Sequence, residues 1–75
     1  MNKDRRKRIE KALETLNEVQ SELEDIKSEE EDYFDNIPEN LQASEKAETS
    51  EAAINSLEEA LSQVEEAVNA LEEIE

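Results

Sequence analysis

Apolar residues recur in a seven-residue pattern through both halves of this chain, and the only proline stands between the two runs. In the first half they fall at Ile9, Ala12, Leu16, Val19, Leu23 and Ile26, stepping alternately by three and four. They resume at Tyr33 and Ile37, with Glu30 as the one polar interruption; Leu13 and Phe34 widen the stripe on one side. Such spacing keeps one face of an α-helix apolar and predicts a helix over about residues 3–34. Glu18, Glu22, Asp25, Glu29 and Asp32 step along nearly the opposite face. The second half is an internal repeat. Residues 54–60, 61–67 and 68–74 each place apolar side chains at the first, fourth and seventh positions and a pair of glutamates at the fifth and sixth. Ile54, Leu57, Leu61, Val64, Val68 and Leu71 are its expected core seam, facing Ile9, Leu16, Val19, Leu23 and Ile26 of the first half. Ala53, Ala60 and Ala67 lie beside it, small enough to let another helix approach. Units this short indicate helix packing, since solenoid repeats are longer.

Pro38 disfavours helix at Ile37 and has no N–H to donate, so the first helix is expected to stop by about Asn36. Asn36 followed by Glu39 reads as a capping box, and Ser44 ahead of Glu45 is a further start signal. We expect a corner over 35–44 with a short helical turn near 38–42, then a second helix over about 45–74. A single helix from 38 onward stays open as an alternative. The short connection makes the helices antiparallel neighbours, which gives one all-α helical-hairpin domain over residues 1–75. Two helices leave much of a widened stripe wet. The hairpin is therefore expected to dimerise into a four-helix bundle, or to have its stripe completed by a partner.

The residues that are missing remove most chemistry. Without cysteine or histidine there is no disulfide, no thiolate nucleophile, no Ser-His triad and no His-ligated metal. Without glycine there is no phosphate-cradling loop. The run Glu29, Glu30, Glu31, Asp32 and Asp35 lacks the glycine and oxygen spacing of a calcium loop and reads as solvated charge. We expect no catalytic, cofactor or metal site. No apolar run reaches the length of a signal peptide or a membrane span, and the expectation is a soluble, cytoplasmic protein with no membrane partner.

Charge is the remaining signal. Residues 1–11 carry six bases against Asp4 and Glu10, a balance of +4; from Ala12 onward 21 acids face only Lys27 and Lys46, a balance of −19. The basic start either pairs with Glu72, Glu73 and Glu75 across the hairpin or reaches a partner. The acidic body should repel nucleic acid and attract basic protein surfaces. The glutamate pairs 58/59, 65/66 and 72/73 form a ladder with a ~10.5 Å period. A hairpin of ~50 Å bearing 21 acids has about one charge per 2.4 Å, near the ~1.7 Å of duplex DNA.

Two functions follow. In the first, the ladder, together with Glu18, Glu22, Asp25, Glu29 and Asp32, binds a basic surface such as that of a nuclease, as a DNA-mimic-type inhibitor. In the second, the chain is a structural coiled-coil or homodimerisation module whose acids only keep it in solution. Tyr33 and Phe34, the only aromatics, are expected to plug the corner against Ile37 and Leu41, or else to anchor a partner.

The segment Tyr33-Phe34-Asp35-Asn36-Ile37-Pro38-Glu39-Asn40-Leu41-Gln42, followed by an acidic Glu/Ala/Leu helix, resembles small acidic helical proteins of Gram-positive bacteria and their mobile elements. The resemblance implies a recurring fold and a phage or mobile-element context. It implies no catalytic residue.

Overall fold

The computed structural model describes residues 1–75. Helix α1 spans Lys3–Asp35, a single 3-10 turn spans Glu39–Leu41, and helix α2 spans Glu45–Glu72. Each boundary has a local cause. Asn2 caps α1, its Oδ1 accepting from the Arg5 N–H at 2.8 Å. At the other end the Asn36 N–H donates to the Asp32 and Tyr33 carbonyls, and its side-chain amide donates to Asp32 O at 2.8 Å. Asn36 therefore closes α1 instead of opening α2, and the expected capping box with Glu39 does not form.

The 3-10 turn is held by the Leu41 N–H on Pro38 O at 2.8 Å, and the Gln42 side chain donates back to Ile37 O at 2.8 Å. Ser44 then caps α2, its Oγ accepting from the Ala47 N–H at 3.3 Å, with Glu45 and Glu48 placed favourably in the first turn. This cap fixes the start of α2 at Glu45, and the single helix from residue 38 is not what the chain adopts. No residue has positive φ, so the corner needs no glycine.

The helices pack antiparallel, and the seam on α2 is the expected one: Ile54, Leu57, Leu61, Val64, Val68 and Leu71 are all half-buried. On α1 the seam is rotated. Ile9, Leu16 and Leu23 point inward as expected, but they alternate with Leu13, Gln20, Lys27 and Phe34. Val19 and Ile26, expected in the core, are instead 40% and 41% exposed at its edge. The corner explains the rotation. Phe34 can turn into the seam without burying a hydroxyl, whereas Tyr33 cannot. Phe34 and Ile37 are accordingly half-buried, while Tyr33 and Leu41 are each 49% exposed and do not share the plug.

The product is a rod measuring 59 × 14 × 13 Å over its Cα atoms. Only Ala47 and Ser50 are fully buried. The surface is 5932 Å², against about 4,700 Å² for a compact monomer of 8.6 kDa. With a core this thin, Leu61→Ala should cost about 2 kcal/mol, and Ser44→Ala about 1 kcal/mol through loss of the cap. Thermal melts followed by circular dichroism at 222 nm should show both, with Leu61→Ala the more damaging.

Candidate interaction surfaces

The seam divides the rod into faces of different chemistry. On one flank, Lys27 reaches across to Glu58 at 3.5 Å and along its own helix to Glu31 at 4.0 Å. Glu51, Glu65 and Glu72 continue this edge of α2 at seven-residue steps from Glu58, and Glu59, Glu66 and Glu73 lie one position further round. All of these α2 glutamates are exposed, as are Glu18, Glu22, Asp25, Glu29 and Asp32 on α1. Apart from Glu58, none of the predicted acidic-face residues has a basic partner within 4 Å. Their charge is directed at solvent.

On the opposite flank α2 carries no acid beyond Glu45 at its first residue. Lys46, Thr49, Ala53, Ser56, Ala60, Gln63, Ala67 and Ala70 step by three and four along the helix without a carboxylate, although Glu45, Glu48, Glu51, Glu58, Glu59, Glu65, Glu66 and Glu72 share it. Tyr33 of α1 borders this strip in a hollow lined with Lys46, Thr49 and Ala53 and, at the corner, with Glu30, Glu45 and Ser50; Ala12, Val19 and Ile26 precede it at seven-residue steps on the same face of α1. Three large apolar side chains left exposed, Val19, Ile26 and Tyr33, belong to this flank, whereas Ile74, beyond the end of α2, lies beside Leu13 and Glu72 on the other side. The alanines were recognisable in the sequence as a close-approach column. The acid-free strip was equally legible, by noting where glutamate never falls.

Near the corner the seam turns polar. The Ser50 hydroxyl, in a residue only 3% exposed, donates to the Glu30 carboxylate at 2.6 Å. The interruption at Glu30 is thus answered by Ser50 and not by Lys46, with which it forms no ion pair. Gln20 and Lys27, the other polar members of the seam, lay outside the expected stripe; their long aliphatic stems let them sit there half-buried.

At the open end, Arg6 donates to the main-chain carbonyl of Glu75. Arg8 meets only Asp4 at 3.9 Å, both side chains being well exposed. None of the six bases forms an ion pair with Glu72, Glu73 or Glu75. Pairing across the hairpin is limited to Arg6, and most of the basic cluster is free.

Nowhere do three or more carboxylates converge as a bound metal ion would require. No helix is long and apolar enough to cross a membrane. Comparison with protein-family models, curated proteins and solved structures finds no match.

Two outcomes follow for stability. A net charge of −15 on so slender a body is self-repelling, so raising sodium chloride from 20 mM to 500 mM should raise the melting temperature. Replacing the polar rung by Glu30→Leu with Ser50→Ala should also raise it, because an apolar pair of similar volume needs no desolvation of a carboxylate.

Proposed function

We propose that this chain is a non-catalytic protein-binding module that pairs with a second copy into a four-helix bundle and presents its carboxylates to a basic protein surface. The observation that supports this reading is the segregation of charge. One flank gathers the exposed apolar residues of α1 and a strip of α2 that carries no acid beyond Glu45, while the remaining faces carry exposed carboxylates with almost no basic partners. An acid-bearing outer face and an acid-poor inner one suit an assembly whose outside does the binding.

In its specific form the module is a DNA-mimic-type inhibitor of a nucleic-acid-binding protein. The rod carries 23 acids over 59 Å, about one per 2.6 Å of length, which approaches the ~1.7 Å charge spacing of duplex DNA. Carboxylates held on rigid helices need little ordering to engage a basic channel. A nuclease or defence protein of a bacterial host is the fitting class of target, in keeping with the mobile-element context that the Tyr33–Gln42 segment suggests.

A second reading is favoured by the exposed column Val19, Ile26 and Tyr33: a structural coiled-coil module in which assembly is the whole function. The two readings differ in which side chains matter. For a mimic, binding energy is spread over many screened carboxylates. Glu59, Glu65, Glu66 and Glu73 changed together to Gln should then reduce affinity at least tenfold while leaving the fold intact, since glutamine is nearly as good a helix former. Glu58 is kept, because it pairs with Lys27. The test is capture of a basic partner from a bacterial host, followed by competition with double-stranded DNA. Displacement by DNA and loss of binding by the fourfold variant support mimicry. A folded variant that binds undiminished, with DNA unable to compete, leaves the structural module.

A further inference from the structure

Resting on the pairing proposed above, we infer that the second copy lies head to tail on the acid-poor flank, with its α1 antiparallel to α1 and its α2 antiparallel to α2. The end of each copy that carries Lys3 to Lys11 then covers the acidic corner of the other.

The register of the hairpin makes the flank a ladder. The Glu30–Ser50 hydrogen bond and the Arg6–Glu75 contact place Val19 about level with Ala60, Ile26 with Ala53, and Ala12 with Ala67. The Val19/Ala60 level is the middle of the rod. A two-fold axis crossing the flank there stacks Val19 on Val19, Ala60 on Ala60, and Ile26 on the smaller Ala12 of the other copy. A column of alanines at seven-residue spacing lets the two α2 helices approach closely. A flank ~40 Å long and ~15 Å wide would bury roughly 600–800 Å² per copy, the size of a standard stable interface.

Charge selects the direction. At the open end of each rod the bases from Lys3 to Lys11 share their level with Glu72, Glu73 and Glu75, which leaves a balance of about +1, whereas the corner over residues 29–48 sets eight acids against Lys46 alone. Stacked in the same direction, the two copies would set corner against corner, a juxtaposition of like charges. Stacked head to tail, Arg5 and Arg8 lie over the level of Glu29, Asp32 and Tyr33 of the other copy. Within one chain these bases lack strong partners: Arg8 has only an exposed contact to Asp4, and Arg5 forms no ion pair. Tyr33, half-exposed at this level, offers a ring face to an arginine.

The absence of cysteine makes the geometry directly testable. Sedimentation equilibrium at micromolar concentration should give a dimer, weakened severalfold by Arg5→Glu with Arg8→Glu. Ala60→Cys, oxidised under dilute conditions, should yield a disulfide-linked dimer by itself, because Ala60 meets Ala60 at the axis. In the same-direction arrangement Ala60 instead meets Val19, so only a mixture of Val19→Cys and Ala60→Cys chains would cross-link. That result would overturn the head-to-tail arrangement while leaving pairing intact. A dimer that neither design cross-links would show that another face is used. A chain that sediments as a monomer throughout would overturn pairing itself.

Discussion

The packing of α1 against α2 along a single seam is the interaction on which everything else in this molecule rests. Runs of like charge weaken each helix alone, and a helix without tertiary contacts is marginal in water. Yet a pair of helices can share only one seam, and here three of the α1 side chains in it are polar. The stability available is small, and the surface left over is large. Both facts direct attention outward, to what the faces away from the seam are suited to meet.

Those faces are sorted by chemistry. Had the sole requirement been to keep the rod dissolved, carboxylates scattered around α2 would have sufficed. Instead they occupy the Lys27–Glu58 flank and the outer surface, and the small and apolar residues collect opposite. Such sorting separates two surfaces of different physics: a close-packing one of Val19, Ile26 and the alanines, on which contacts would be insensitive to salt, and the glutamate ladder, on which they would be salt-sensitive. The basic cluster at residues 3–11 is the exception to the acidic surface, and its position at the end away from the corner gives the rod a polarity along its length.

Much of the architecture is written in local signals. Ser44 ahead of Glu45, Pro38 after a long apolar period, and three repeated heptads specify two helices and where each stops. The rotation of α1 is not written locally. Ile9, Leu16 and Leu23 form a central column flanked on one side by Ala12, Val19, Ile26 and Tyr33, and on the other by Leu13, Gln20, Lys27 and Phe34. Counting apolar atoms favours the first flank. The fold takes the second, because Phe34 can enter the corner dry and Lys27 can reach Glu58, a partner that lies 31 positions away in the chain and leaves no periodic trace. Asn36 shows the same limit: its type announces a cap, but only the path of the chain decides which helix it serves. The acidic faces are legible from spacing because exposure, unlike pairing, needs no partner.

The burial pattern also sets an order of assembly. Ala47 and Ser50, the two best-covered residues, lie within the first two turns of α2, a short loop away from α1. Closing contacts there costs little chain entropy, whereas bringing Arg6 to Glu75 first would close a loop of nearly the whole chain. Folding from the corner turns each later rung into a local addition, so the hairpin should zip toward its open end and loosen in the reverse direction. The three near-identical heptads of α2 would otherwise tolerate a slip of seven residues. The Glu30–Ser50 rung is made early on such a route, and because Leu57, Val64 and Leu71 occupy the equivalent places in later heptads, no slipped register can offer Glu30 another hydroxyl. A polar contact that weakens the core thus acts as the index mark from which the rest of the zipper is counted.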